Sequence, residues 1–246
     1  VLLIDGSTSE EWLSGETDFL KLALTPFEED RKGKNLETKD LIEAKVVELG
    51  NFNPSRDLAD DTKVVVLANA EKLEEAQAEA LLSFTLNGGG LWICHGDQVN
   101  AEWYNRSLGP DGSNLLPLQL RNLGGSLTDD SIRTRVVAAH FDHPSLSLFN
   151  DPRNGNLADA DVWRWQRLEE PQDLMEKETT ILARFETGDP FLAERKIGKG
   201  LVMQMSTSAD GDWNNFPVRA CFLPLIQQIA SYLANQVTPP RNLPTG

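Results

Sequence analysis

The sequence predicts a three-layer αβα protein of the α/β class, built on a doubly wound, mostly parallel sheet with an antiparallel edge. KVVVLAN at residues 63–69 is a run of β-branched residues without alternation, which is typical of a parallel strand covered on both faces. A helical segment rich in Ala, Leu and Glu follows at residues 71–86, and three glycines at 88–90 separate it from a second apolar run at 91–94. This order predicts a right-handed βαβ unit at the centre of the sheet.

The other elements are predicted from local hydrophobic patterns. We expect strands at residues 1–5, 45–49, 133–139, 161–168, 181–185, 190–197 and 201–206, and helices around 19–24 and over 219–236. Gly198-Lys199-Gly200 joins the last two strands as a tight hairpin, which makes this side of the sheet antiparallel. The final helix carries its apolar residues on one face and is therefore expected to pack against the sheet.

Length and tail composition predict one domain over residues 1–237 and a linker or tail over residues 238–246. The 246 residues, 40% of them hydrophobic, are enough to bury one substantial core. The last segment, TPPRNLPTG, is rich in proline and has no apolar period. The sequence opens on the apolar run VLLID without Met or a signal peptide, which predicts that it is a piece of a longer protein.

The charge balance argues against two classes of partner. With 38 acidic and 23 basic residues, the chain has a formal net charge of -15 and would repel nucleic-acid phosphates and anionic lipid. We therefore expect an unknown protein or small-molecule partner, no nucleic acid and no cofactor. The two cysteines, Cys94 and Cys221, do not make a disulfide framework.

The segment GGGLWICHGDQ at residues 88–98 is the strongest candidate for chemistry. Cys94 ends a predicted strand, and Gly96 permits a sharp turn with close backbone approach. Such a turn presents a thiol above the carboxyl end of the sheet, where the backbone N–H groups of His95 and Gly96 are candidate oxyanion donors. The pattern predicts Cys94 as a candidate nucleophile.

Residues 93–98, Ile-Cys-His-Gly-Asp-Gln, resemble the I-C-x-G-x-Q elbow of class I glutamine amidotransferases, and the strand, helix and glycine run before them come in that family's order. The resemblance implies a flavodoxin-like, amidotransferase-like fold with Cys94 at the elbow. That family completes its triad with a late His-x-Glu, whose imidazole accepts the thiol proton, and this sequence has no His-x-Glu. Trp92 also stands where the family usually has a small glycine.

The histidines leave the catalytic question open. His140 and His143, in AAHFDHP, are candidate bases with Asp142 as the orienting carboxylate, because chain order does not define a triad. In the other interpretation, His143 and the following proline begin a turn or helix, and Cys94 is a small buried hydrophobe.

A further pair of carboxylates, Asp210 and Asp212 beside Trp213, also has two interpretations. The pair could bind a hard cation together with loop carbonyls, or it could simply form a turn. The turn is the preferred interpretation, and no metal is predicted.

A second resemblance reaches over nearly the whole chain. VLLIDG, ETDFLKLAL, FETGDPFLAERKIGKG and SADGDWNNFPVR are similar to amidotransferase-like domains of BatA-type membrane proteins, found in bacteria such as planctomycetes. Those proteins carry a von Willebrand A domain and transmembrane helices. The resemblance implies flanking domains that anchor the parent protein in the inner membrane, and an extracytoplasmic, periplasmic location for this domain.

Three functions follow from these observations. The preferred hypothesis is a non-catalytic amidotransferase-like domain of a membrane-anchored bacterial protein, which binds a partner or small ligand outside the carboxyl ends of the strands. One alternative is a cysteine-dependent amidase or hydrolase that uses Cys94, and the other is a structural spacer. An enzyme requires an acidic thiol in an open cleft, a binding domain requires an open groove with an inert thiol, and a spacer requires neither.

Overall fold

The structure is a computed structural model that describes residues 1–9, 11, 13–28, 40–129, 132–170 and 178–236. Its strands are β1 (Leu2–Asp5), β2 (Lys45–Glu48), β3 (Val64–Ala68), β4 (Gly90–Cys94), β5 (Gln119–Gly125), β6 (Val136–Val137), β7 (Arg164–Glu169), β8 (Thr179–Phe185), β9 (Pro190–Ile197) and β10 (Gly200–Met205). Its α-helices are α1 (Asp18–Leu24), α2 (Pro54–Asp57), α3 (Glu75–Leu86), α4 (Ala101–Trp103) and α5 (Phe222–Gln236).

An 8-stranded sheet in the order β2-β1-β3-β4-β10-β9-β8-β6 forms the centre of the protein. The strands from β2 to β10 in this order run parallel, with Ala68 of β3 and Met205 of β10 on either side of Cys94. Beyond β10, the strands β9, β8 and β6 are antiparallel. The predicted mostly parallel sheet with an antiparallel edge is confirmed.

Helices cover both faces of this sheet. On one face, Leu20 of α1 and Ile226 of α5 pack in the same cluster as Val66 of β3. On the other face, Leu81 of α3 packs in a cluster with Val65 of β3. Neighbouring residues of a strand point to opposite faces, so a strand covered on both sides is apolar at every position. This explains the unalternated KVVVLAN run and confirms the three-layer architecture.

Two predicted elements differ from the structure. The strand expected at residues 133–139 is reduced to β6, which pairs with only two residues of β8. The strand expected at 161–168 forms as β7, but it pairs with β5 in a separate 2-stranded sheet. The sequence analysis missed β5 because QLRNLGG ends in two glycines, which weaken a strand signal. Gly124 is needed there, since a Cβ at this position would overlap the indole ring of Trp165.

The predicted linker at residues 238–246 lies outside the described residues, so the domain boundary at residue 237 stays a prediction. Within the described part of the chain, no helix combines the length and the apolar character needed to cross a bilayer.

Close backbone packing at the end of β1 generates the first prediction. The Gly6 N–H donates to the carbonyl of Ala68 at 2.8 Å, and a Cβ on Gly6 would overlap the carbonyl oxygen of Asn69. Because backbone cannot move aside as a flexible side chain can, we predict that Gly6→Ala lowers the free energy of unfolding by about 2–3 kcal/mol. The measurement is urea denaturation at pH 7.

Gly50→Ala is the matched control, because a Cβ at Gly50 meets no heavy atom within 4 Å. Its free energy of unfolding should stay within about 0.5 kcal/mol of that of the unsubstituted protein. Equal stabilities of the two variants would show that β1 and β3 do not approach as closely as described.

Candidate functional site

Cys94 lies at the end of β4 but does not occupy a nucleophile elbow. Its side chain is 0% exposed and belongs to the apolar layer between the sheet and the helices α1 and α5. An elbow places its nucleophile in a strained turn that exposes the reactive atom, and Cys94 is not among the described non-glycine residues with positive φ. Burial raises the pKa of the Cys94 thiol well above its ordinary value, and the Glu16 carboxylate raises it further. Both effects lower the fraction of reactive thiolate at neutral pH.

His143, one of the two candidate bases, is bonded elsewhere. Its Nε2 lies 3.2 Å from Glu194 Oε1 on β9 and 3.2 Å from the hydroxyl of Tyr232 on α5. Its Nδ1 accepts from the Ser145 N–H at 3.3 Å and lies 2.8 Å from the Ser145 hydroxyl. In the sheet, β9 is separated from β4 by β10, and two strand spacings amount to about 10 Å. The predicted turn after His143 is confirmed, since its carbonyl accepts from two N–H groups downstream.

The other candidate base, His140, lies on the surface. Its side chain is 64% exposed, and its Nε2 is 3.6 Å from Asp142 Oδ1, which is the carboxylate proposed to orient it. In the described part of the chain, neither histidine has a hydrogen bond to Cys94. The structure therefore does not bring the predicted nucleophile and its predicted bases together, and a catalytic role for these residues stays a prediction without geometric support.

The His95 N–H, one of the two predicted oxyanion donors, is bonded within the sheet. The His95 N–H donates to the carbonyl of Met205 at 3.3 Å, across the gap between β4 and β10. The His95 ring is fully buried, its Nε2 accepts from the Gln204 amide at 3.0 Å, and burial lowers its pKa to about 3, so the ring is neutral. A Cβ on Gly96 would overlap the Asn69 side chain. Glycine is needed at position 96 to let Asn69 lie across the end of β4.

A group of acidic residues at the carboxyl edge of the sheet forms a different candidate site, which we call the acidic cluster. It comprises Asp5 at the end of β1, Glu16 in the loop before α1, Asp97 after β4, and Asp210 and Asp212 after β10. Asp5, Glu16 and Asp210 are each 4% exposed, whereas Asp97 and Asp212 are exposed. Ligands of open α/β sheets bind outside this same edge.

Asn69, directly after β3, holds part of the acidic cluster together. Its Nδ2 donates to Glu16 Oε1 and, at 2.8 Å, to Asp97 Oδ1, while its Oδ1 accepts from the Gln98 N–H at 2.9 Å. Its backbone N–H donates to the Cys94 carbonyl at 3.1 Å. Asn69 has φ 46°, a left-handed conformation that Asn adopts more readily than other residues with a Cβ. One side chain thus joins the segments that leave β3 and β4 to the loop after β1.

Asp5 has a structural role at this edge. Its Oδ1 accepts from the Ser7 N–H at 3.0 Å, and its Oδ2 accepts from the Thr17 N–H at 3.3 Å and hydroxyl at 2.7 Å. Because both carboxylate oxygens are bonded within the loop between β1 and α1, Asp5 fixes that loop and with it the position of Glu16.

Glu16 is the unusual member of the acidic cluster. Its Oε2 is buried and has no hydrogen-bond partner among the described residues. Burial, followed by the charge of Asp210, raises the pKa of Glu16 to about 8, although the Asn69 hydrogen bond opposes the shift. Burial also raises the pKa of Asp210. At neutral pH Glu16 is therefore protonated, and its Oε2 has no hydrogen-bond acceptor among the described residues.

Asp57 shows how another buried carboxylate of this protein is compensated. Its side chain is 0% exposed and pairs with Lys45 at 2.8 Å and with Arg56 at 2.8 Å. The hydrogen bond from Arg56 is the largest cause that lowers the pKa of Asp57. The named charges that act on Glu16 are by contrast all carboxylates, so the acidic cluster lacks the compensation that Asp57 has.

Asp210 and Asp212 form the predicted turn, because the Asp212 N–H donates to Asp210 Oδ1 at 3.0 Å. Across the described ranges, no group of three or more His, Cys, Asp or Glu side chains is placed to hold one metal ion. The acidic cluster is held together instead by the Asn69 amide, which bonds both Glu16 and Asp97, and the charges of Asp210 and Asp212 act on Glu16.

Sequence reasoning recovered only part of this site. Asp5 and Asn69 are the polar residues that end the apolar runs VLLID and KVVVLAN, and this pattern could have identified them. Glu16 has no such signal, because it stands in a polar loop without a recognisable motif.

Comparisons with known proteins identify the fold. No family model and no curated protein matches the sequence. Among solved structures, cytoplasmic protein STM3548 from Salmonella typhimurium matches with a TM-score of 0.67 and 13% identity, over 94% of this chain and 98% of its own. Cytoplasmic protein STM1381 from Salmonella typhimurium LT2 matches with a TM-score of 0.61 and 14% identity, over 97% and 99%. A ThuA-like protein from Parabacteroides merdae matches with a TM-score of 0.51 and 17% identity, over 97% and 91%.

These matches show that the chain has the flavodoxin-like, amidotransferase-like three-layer fold. They also correct the second resemblance: the neighbours are proteins named as cytoplasmic and a ThuA-like protein, not BatA-type membrane proteins. The BatA-type assignment is wrong, and so is the periplasmic location inferred from it, whereas the membrane-anchored parent protein with its flanking domains stays a prediction. The quoted segments correspond to β1, α1, the hairpins of β8 to β10 and the loop after β10.

The buried thiols generate the second prediction. Burial raises the pKa of Cys94 and also raises that of Cys221 to about 11. We predict that neither thiol reacts appreciably with iodoacetamide at pH 8 in the folded protein, because the reactive thiolate is scarce and the sulfur is covered. Intact mass spectrometry should detect alkylation of both only after denaturant is added.

The variant Cys221→Ser isolates the signal of Cys94. Rapid alkylation of this variant without denaturant, with a thiol pKa below the free value of about 8.5, would revive the cysteine-hydrolase alternative.

Proposed function

We propose that this protein is a ligand-binding domain with an amidotransferase-like fold, in which the ligand occupies the acidic cluster and not a site at Cys94. The observation that carries the proposal is the buried Glu16 carboxyl, whose Oε2 has no partner in the described residues. Buried polar groups are bonded in the great majority of cases, and leaving one unbonded costs about 1–3 kcal/mol. A ligand that binds at this edge of the sheet accounts for the presence of a buried carboxyl group without a hydrogen-bond partner on one oxygen.

Exposure of the individual carboxylates supports the same proposal. Asp97 and Asp212 are exposed and can contact a ligand directly, while Glu16 and Asp210 lie buried behind them. Asp97 and Glu16 both accept hydrogen bonds from the Asn69 amide. A ligand that contacts Asp97 at the surface is therefore connected to the buried Glu16 carboxyl through the Asn69 side chain.

The two alternative functions, a cysteine-dependent hydrolase and a structural spacer, agree less well with these observations. Hydrolysis by Cys94 requires an open, acidic thiol, whereas this thiol is buried and its pKa is raised. A structural spacer does not require buried carboxyl groups with raised pKa values, because such groups reduce stability at neutral pH. Groups of this kind are typical of functional sites. Nucleic acid remains a poor partner because both the chain and the proposed site are acidic.

The raised pKa of Glu16 generates the third prediction. Between the ordinary value of 4.5 and the folded value of about 8, the folded protein holds a proton that the unfolded chain has released. The free energy of unfolding therefore falls as pH rises through this window, by up to about 1.4 kcal/mol per pH unit from this group. We predict that Glu16→Gln, which cannot titrate, removes this contribution and is more stable relative to the parent protein at pH 8 than at pH 5.

Urea denaturation at both pH values measures the difference. Glu79→Gln is the matched control, because Glu79 is exposed on α3, and its stability relative to the parent should be the same at both pH values. If Glu16→Gln and the parent protein had the same pH dependence, Glu16 would not be the buried neutral acid described here.

The fourth prediction tests binding itself. Two-dimensional amide NMR of the whole chain, titrated with amines, divalent cations, sugars, amino acids and organic acids, should identify at least one saturable ligand. Its shift changes should centre on Gly6, Asn69, Gly96, Asp97 and Asp212, and Glu16→Gln should weaken its binding. Shifts confined to other surfaces, or none with any compound, would contradict the proposed function.

A further inference from the structure

A small cavity lies beside β9 and shares no residue with the acidic cluster. Its volume is about 220 Å³, and it lies between β9, the end of β7 and the segment that precedes β5. Its apolar wall consists of Pro110, Leu116, Pro117 and Leu118, and its charged residues are Glu169 and Arg195. Pockets for drug-sized ligands measure about 300–1,000 Å³, so this cavity suits a smaller molecule.

Hydrogen bonds hold the apolar wall of this cavity in place. The Leu116 N–H donates to the Leu108 carbonyl at 2.8 Å. The Leu118 N–H donates to Oε1 of the buried Gln204 at 2.9 Å, and the Gln204 amide donates back to the Leu118 carbonyl at 3.1 Å. A ligand therefore meets a preformed wall, which reduces the entropy lost on binding.

Arg195, on β9, is the cation of the cavity. Its side chain is half-buried, and its Nη1 donates to Asn114 Oδ1 at 2.6 Å and to the Leu116 carbonyl at 3.3 Å, both of them neutral acceptors. Among the described residues, Nε and Nη2 of Arg195 have no hydrogen-bond acceptor, and no carboxylate lies within ion-pair distance. Burial lowers the pKa of Arg195, and the charge of Glu178 opposes this shift only in part.

Other arginines of this protein are bonded to carboxylates. Arg56 lies 2.8 Å from Asp57, and Arg184 lies 2.5 Å from Glu170. The Nε–H and Nη2–H groups of a guanidinium lie on one edge and match the two oxygens of a carboxylate. Arg195 therefore offers an unused two-donor edge to the carboxylate of a ligand.

Glu169, at the end of β7, is the anion of the same cavity. Its side chain is 50% exposed, and its carboxylate lies 3.7 Å from Arg121 Nε, which is longer than a charge-assisted hydrogen bond of about 2.7–2.9 Å. Glu169 can therefore accept from a further cationic group, and it repels a ligand whose only charge is a carboxylate. One cation, one anion and an apolar wall together complement a ligand without net charge.

We propose that this cavity binds a small zwitterion with an apolar side chain, such as a free α-amino acid. Arg195 binds the carboxylate, Glu169 binds the ammonium group, and the prolines and leucines of the wall contact the side chain. The cavity is separate from the acidic cluster, so this second site does not depend on the proposed function.

Two-dimensional amide NMR of the whole chain, titrated with L-valine at pH 7 and 150 mM salt, tests the proposal. We expect saturable shift changes at Asn114, Leu116, Leu118 and Gln119. Two analogues of L-valine each lack one charge: 3-methylbutanoate has no ammonium group, and 2-methylpropylamine has no carboxylate. Each should bind about tenfold more weakly, because it loses one charge-assisted contact.

Two variants test the roles of the charged residues. Arg195→Gln should weaken L-valine binding about tenfold, and its amide spectrum shows whether the segment bonded to Arg195 keeps its structure. Glu169→Gln changes an exposed side chain and should weaken the binding of L-valine but not of 3-methylbutanoate, a difference that a merely structural role would not produce. Arg106→Gln is the matched control, because Arg106 is an exposed arginine outside the cavity, and L-valine affinity should stay within about twofold.

Three outcomes would overturn the proposal: no saturable shifts near Arg195 with L-valine, equal affinities for L-valine and 3-methylbutanoate, or an equal loss in Arg106→Gln and Arg195→Gln. Shifts with L-valine centred on Gly6, Asn69 and Gly96 would overturn this assignment and support the proposed function. Binding of L-valine near Arg195, with no compound bound at the acidic cluster, would support this site and contradict the proposed function.

Discussion

The hydrogen bonds of Asn69 connect the segments that make up the carboxyl edge of this sheet. Its amide joins Glu16 to Asp97 and accepts from Gln98, which ties the loop after β1 to the turn after β4. This arrangement requires a left-handed backbone at Asn69 and the absence of a Cβ at both Gly6 and Gly96. The glycine that resembles part of a nucleophile elbow thus serves packing, because it makes room for an amide rather than for a substrate.

The position of β4 in the sheet explains why its cysteine is buried. With β3 and β10 on either side and helices over both faces, every residue of β4 is buried, and Cys94 belongs to the layer beneath α1 and α5. The helical layers that stabilise the centre of the sheet also exclude water from the sulfur. A cysteine can stand at the position of a known nucleophile and still act only as a small apolar side chain when the chain does not turn to expose it.

The buried carboxylates of this protein are of two kinds, which differ in the charges around them. Asp57 is neutralised by Lys45 and Arg56, so its burial is compatible with stability near neutral pH. Glu16 and Asp210 lie among carboxylates only, and burial raises the pKa values of both, which lowers the stability of the folded state as pH rises. Proteins retain such unfavourable groups mainly where they act on something else, which is why the acidic cluster and not the cysteine carries the functional proposal.

The sequence by itself determined the α/β class, the central βαβ unit and the hairpin between β9 and β10, because each depends on residues close together in the chain. It did not reveal β5 or the truncation of β6, since both depend on which distant strand offers a partner. The acidic cluster was decided only by the tertiary structure. The β1–α1 loop with Asp5 and Glu16, the turn with Asp97 and the loop with Asp210 are far apart in sequence, and parallel pairing of β1, β3, β4 and β10 brings the carboxyl ends of these strands to one edge. No local pattern encodes that proximity, nor the burial that raises the pKa values of Cys94 and Glu16.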